Sequence, residues 1–174
     1  MRSISFALFM LIVVGVTGCS FGKSKSDQAM DAVNRGLEAH AAGQIDKAAE
    51  AYQQALDLDP GNKFALFDLG VVDDSRGRPI SAENYYRMAL TADPNFGPAL
   101  YNLAILRAKA GASQEAIDLY RRVTEVNPES AEAHLNLGFM LREVGETDEG
   151  NAMLQRAVEL NPSMASRVNL PSEP

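Results

Sequence analysis

The sequence predicts an all-α array of repeated helix–turn–helix units, and two coincidences of spacing carry that prediction. Pro60, Pro94, Pro128 and Pro162 fall 34 residues apart, and so do Gly43, Gly77, Gly111 and Gly145. Between these marks apolar residues recur at helical rather than strand spacing. Over 99–128, Leu100, Leu103, Ala104 and Leu106 share one helical face, and Ala116, Ile117, Tyr120 and Val123 share another. Gly111 stands where the first helix must stop and the chain reverse, and Pro128 closes the second.

This period and punctuation resemble the tetratricopeptide repeat, a 34-residue helix–turn–helix unit. The resemblance implies a right-handed α-solenoid of four repeats, at 29–62, 63–96, 97–130 and 131–164, with a short tail at 165–174. Small residues fall where helices approach closely: Gly36, Gly70, Ala104 and Gly138 in the first helices, and Ala48, Ala82, Ala116 and Gly150 in the second. Ala55, Ala89, Val123 and Ala157 lie one face further on. Tyr52, Tyr86, Tyr120 and Leu154 are the large interlocking residues. Repeats of this kind imply binding and assembly, and they imply no cofactor.

Taken from its start, the chain opens on a segment outside the repeats. Arg2, an apolar run from Ile4 to Val14 and a small-residue boundary read as a secretory signal over 1–18. The run is short for a membrane span, which takes about 20 residues. Val16-Thr17-Gly18-Cys19 resembles the bacterial lipobox, which implies cleavage after Gly18 and acylation of Cys19. An ordinary signal with a chance cysteine, or an uncleaved anchor, is the other reading. Two or three acyl chains, at ~0.8 kcal/mol per buried methylene, would hold the protein firmly to a membrane. Ser20 follows the cysteine, with no aspartate there to signal inner-membrane retention. The expected location is therefore the periplasmic face of the outer membrane in a two-membrane host, and otherwise the outer face of the plasma membrane. Residues 19–28 are the acylated cysteine and a polar linker, in which Lys23 and Lys25 either touch anionic headgroups or belong to a plain spacer.

The first repeat carries Arg35 where the others carry Leu69, Leu103 and Leu137, as expected of the polar outer face of a terminal unit. The second repeat follows the pattern best. Pro79 falls in the first turn of its second helix, where a missing N–H is harmless. Asp73 replaces a large residue and either loosens the packing or charges the groove. In the third, Pro98 again sits in a first turn. The fourth reads as weakened, with Gly150 inside a helix at a cost of roughly 1 kcal/mol and Leu154 in place of tyrosine. No long polar helix follows Pro162, so the apolar side of the last helix is expected to be open. Docking, homodimer formation and fraying are the alternatives for it.

In such solenoids the first helices line the concave face. There Asn34, Asp68, Asn102 and Asn136 fall in phase. An amide both donates and accepts, so a column of asparagines can pair with the backbone of an extended peptide. The arrangement resembles the asparagine ladders of glycosyltransferase-type arrays. Val33, Phe67, Tyr101 and Leu135 flank it, as do Leu37, Val71, Ile105 and Phe139, and these would take ligand side chains. The alternative is structural: the amides tie helix to helix and the apolar residues are core. Asp68 interrupts the column and would favour a basic residue or a free N–H. The basic carboxylate clamp of chaperone-binding repeats is not expected, since its positions hold Val33, Leu37, Asp68, Pro98 and Asn102.

Other function classes find little support. A net charge of −7 argues against nucleic acid as a partner. One cysteine excludes a disulfide within the chain, and two histidines make a histidine-rich metal site improbable. His40 and His134 have no acid or thiol at a common offset, Asp73-Asp74 and Asp148-Glu149 read as solvated or helix-start charges, and no Gly-rich loop ends in lysine. The expectation is a membrane-anchored, non-catalytic scaffold that binds a partner polypeptide, in envelope assembly such as pilus, secretion or cell-wall machinery. A self-associating structural lipoprotein is the alternative.

Overall fold

The computed structural model describes residues 22–168, and all regular structure among them is helical. Eight α-helices follow in pairs: α1 (Lys25–Ala41) with α2 (Ile45–Leu58), α3 (Lys63–Ser75) with α4 (Pro79–Ala92), α5 (Gly97–Lys109) with α6 (Ser113–Val126), and α7 (Ala131–Glu143) with α8 (Thr147–Leu160). Each pair packs antiparallel, and each second helix packs on the first helix of the next pair. The result is a right-handed α-solenoid. The signal segment, Cys19 and the end of the tail, 169–174, lie outside the described residues.

The glycine punctuation has a backbone cause. Gly43, Gly77, Gly111 and Gly145 are all left-handed, with φ between 69° and 92°. Each closes the same two-bond turn, in which the next residue donates back five positions, as Gln44 N does to Ala39 O at 2.8 Å.

Three sequence-based expectations change here. Lys25 to Gln28 are the first turn of α1 and not linker, because Ser24 and Asp27 form a reciprocal capping box. Lys23 pairs with Asp31 at 2.5 Å. Asp73 neither loosens the packing nor charges the groove: it is buried, accepts from Ser81 Oγ and pairs with Arg78 at 2.7 Å, which pins the turn between α3 and α4. The last repeat is not left open either. Pro162–Arg167 form a 3-10 turn that brings Met164 and Val168 down onto Ala131, Leu135, Leu154 and Ala157.

Gly150 also has a structural reason. A Cβ there would lie 2.9 Å from Gly138 O, and a Cβ on Gly138 would lie 2.8 Å from Gly150 O. The two glycines let α7 and α8 approach backbone to backbone, so the fourth repeat is closely packed rather than weakened. In the second repeat Gly70 serves differently, since a Cβ on it would strike the Tyr86 ring at 2.5 Å.

Ion pairs knit the second helices together. Glu83, Arg87, Arg107 and Glu115 close a ring of four contacts of 2.5 to 3.0 Å across α4, α5 and α6. One repeat further on, Arg121 reaches Glu149 at 3.0 Å.

Candidate functional site

Helical spacing puts residues 34, 37 and 38 of each first helix, and their counterparts 34 residues apart, on the side away from the paired second helix. The structure divides the expected groove residues into three groups. Leu37 and Phe139 are exposed, at 46% and 38%, while Val71 and Ile105 between them are half-buried against the core. These four hold the same register on successive first helices and so form an apolar stripe by position. Val33 and Leu135 are core, at 2% and 1% exposure, and are unavailable to a ligand, contrary to the sequence expectation. Phe67 and Tyr101, in the same register, are half-buried. That register faces the junction with the next repeat. Its exposure therefore depends on what the junction supplies, and Met164 and Val168 supply the cover over Leu135.

The asparagine column is partly structural. Asn102 donates to Tyr86 Oη at 3.3 Å, and Asn136 donates to Tyr101 Oη at 3.0 Å, so each ties its helix to an earlier element. Asn136 also hydrogen-bonds the Tyr120 side chain, so less of its amide is open to a ligand. Asn34 is exposed. At the second position the pattern breaks: Asp68 stands where the tyrosine of the previous repeat expects an amide donor. Tyr52 is wholly buried and its hydroxyl has no hydrogen-bond partner.

Burial sets the electrostatics of these groups. It pushes the Asp68 carboxyl up to about 6. It pushes the Tyr52 phenol up to about 12, with the Asp68 charge adding to the effect. Burial does the same to Tyr86, about 12, against the opposing bond from Asn102. The inner face therefore offers one acid poised near neutrality among amides and apolar side chains.

The remaining titratable groups are placed structurally. His134 is buried with Nδ1 at 3.0 Å from Ser130 O, and His40 lies in the last turn of α1. Among the described residues no cluster of three His, Cys, Asp or Glu is placed to hold a metal, and no helix is long and apolar enough to cross a membrane.

The chain matches known proteins in fold and in repeat pattern. The family model described as tetratricopeptide repeat matches residues 33–96 and 101–165. No curated protein matches the chain closely enough to count as a relative. Among solved structures, MamA is 27% identical with a TM-score of 0.66, over 73% of this chain and 74% of that one. YrrB, a TPR protein with an unusual peptide-binding site, is 24% identical with a TM-score of 0.72, over 79% of this chain and 71% of that one. The first TPR of Spaghetti (RPAP3), bound to the HSP90 peptide SRMEEVD, is 22% identical with a TM-score of 0.63, over 68% of this chain and 94% of that one.

Proposed function

Because this chain belongs to the tetratricopeptide repeat family, we propose that it is a non-catalytic scaffold, anchored to a membrane through Cys19, that binds an extended segment of a partner polypeptide along its inner face. The observation that carries the reading is the stripe Leu37, Val71, Ile105 and Phe139, in register with Asn34, which is exposed, and with Asn102 and Asn136. An extended chain laid there finds backbone partners from the amides and apolar contacts for its side chains. The binding of peptides by YrrB and by the RPAP3 unit supports the mode of binding. The lipobox-like Val16–Cys19 supports the anchor and, with it, a role in envelope assembly. Homodimerisation through a bare last repeat loses its ground, since that surface is covered.

Two measurements test the two halves. Mass spectrometry of the N-terminal peptide from cells is expected to show Cys19 as the first residue, carrying a diacylglyceryl group and an N-acyl chain. An unmodified Cys19 inside a longer peptide would contradict the anchor. Asn102 and Asn136 also hold tyrosines, so substituting them lowers stability along with binding. The cleaner variant is Leu37→Glu with Phe139→Glu, at the two exposed ends of the stripe. It is expected to retain its melting temperature and to lose at least about tenfold in affinity for the native partner, a difference of ~1.4 kcal/mol. Undiminished affinity would contradict the groove.

A further inference from the structure

The four repeats compare themselves at one place, the junction where each second helix ends and the next element begins. The position that borders it holds Asn62, Phe96, Ser130 and Met164, at intervals of 34. Asn62 is buried, with its amide 3.7 Å from Met30 Sδ and 3.5 Å from Asp59 Oδ2. Phe96 lies edge-on to both Phe64 and Phe67, with ring centroids 5.6 Å apart in each pair. Lys63 Nζ completes that cluster, 5.2 Å from the Phe64 and Phe96 centroids and 2.6 Å from Asp93. Met164 is 4% exposed within the last core cluster. Ser130 is too short to do the same, and its hydroxyl accepts from Ala133 N at 3.2 Å instead.

A cavity of about 320 Å³ opens at that third junction. Its lining corresponds, residue for residue, to the filled cluster one repeat earlier. Gly97 stands for Lys63, Pro98 for Phe64, Tyr101 for Phe67, Asn127 for Asp93 and Ser130 for Phe96. The Phe64 and Phe96 rings and the Lys63 ammonium have no counterpart there. Tyr101 offers its ring where Phe67 receives the edge of Phe96. Glu132, on the rim in place of Pro98, brings a carboxylate to a site whose counterpart held a cation. Pro98 and Glu132 lie one helical turn before Asn102 and Asn136, so the cavity adjoins the amide column.

We propose that this cavity receives an aromatic side chain of the bound polypeptide, with a neighbouring lysine or arginine of the same segment paired to Glu132. The occupant restores from outside what Phe96 and Lys63 supply from within at the preceding junction. The assignment rests on the polypeptide-binding reading and adds to it the kind of residue that is selected.

The test is an amide chemical-shift titration of the full chain with three capped dipeptides: acetyl-Phe-Lys-amide, acetyl-Ala-Lys-amide and acetyl-Phe-Glu-amide. The Phe-Lys probe is expected to give saturable shifts at Gly97, Asn127, Ser130 and Glu132. Its affinity should exceed that of either other probe by about threefold or more. Ser130→Phe is expected to abolish the response by filling the cavity, as Phe96 does. Ser130→Ala, which loses the cap and leaves the cavity open, is expected to retain it. No saturable shift, equal affinity for the Ala-Lys probe, or an undiminished response in Ser130→Phe would each overturn the proposal. Failure here is distinguishable from failure of the groove. A native partner lost on Leu37→Glu with Phe139→Glu but indifferent to Ser130→Phe would leave the groove standing and overturn the cavity.

Discussion

Asp68 shows how one side chain sets stability and its dependence on pH. At the equivalent place one repeat later, Asn102 gives an N–H to Tyr86, while Asp68 leaves the buried Tyr52 hydroxyl unpaired. A buried polar group without a partner is destabilising by about 1–3 kcal/mol. Asp68→Asn is therefore expected to stabilise the fold by about 1 kcal/mol near neutral pH, raising the melting temperature by a few degrees. The pH dependence has a definite sign. The folded-state pKa of Asp68 is raised from 3.8 to about 6, so the fold holds its proton more tightly than the unfolded chain does. Its contribution is most favourable below 3.8, is lost as pH rises to about 6, and is constant above that. The gain from Asp68→Asn, measured by thermal melts, should shrink as pH falls through this window. A gain independent of pH would show that Asp68 does not titrate there.

At the scale of elements, α7 and α8 give the sharpest case of local propensity yielding to packing. Helix propensity alone makes Gly150→Ala a gain of roughly 1 kcal/mol. The new Cβ would meet Gly138 O at 2.9 Å and Arg142 N at 3.1 Å, both backbone atoms that no rotamer change can move. Overpacking of this kind costs about 1–3 kcal/mol, so chemical denaturation should find Gly150→Ala less stable than the native chain. A more stable variant would contradict the close approach of the two helices. The sequence places both Gly138 and Gly150 at close-approach positions, but it does not reveal that their backbones meet each other, because they lie across a turn on different helices. The capping box that starts α1 at Lys25 was legible in principle from Ser24 and Asp27. The polar composition around it instead suggested linker.

For the whole molecule, the sequence was most informative where the backbone itself makes the demand. Gly43, Gly77, Gly111 and Gly145 must turn left-handed, and the prolines must follow helix ends, so their period gives the array directly. The inner face was legible only in part. Of position 37 and its counterparts, Leu37 and Phe139 are exposed while Val71 and Ile105 are half-buried. Position 33 and its counterparts face the junctions, so Leu135 is buried under Met164 and Val168 while Tyr101 borders a cavity. Nothing within one repeat reveals that difference, since the covering residue comes from the next. The cover over Leu135 has the same origin: Met164 falls in phase with Phe96 and is carried on the 3-10 turn Pro162–Arg167.

Whether the inner face holds a partner segment can be read out in cells. Phe139, exposed on α7, can be replaced by p-benzoylphenylalanine with little change in shape, and Met88, exposed on the second helix α4, provides the control. Photo-crosslinking in cells is the most direct measurement. A dominant adduct is expected from position 139, mapping to one short segment of another protein that contains an aromatic and a basic residue, and no such adduct from position 88. Equal adducts from both positions, or adducts from position 139 only to a second copy of this chain, would contradict it.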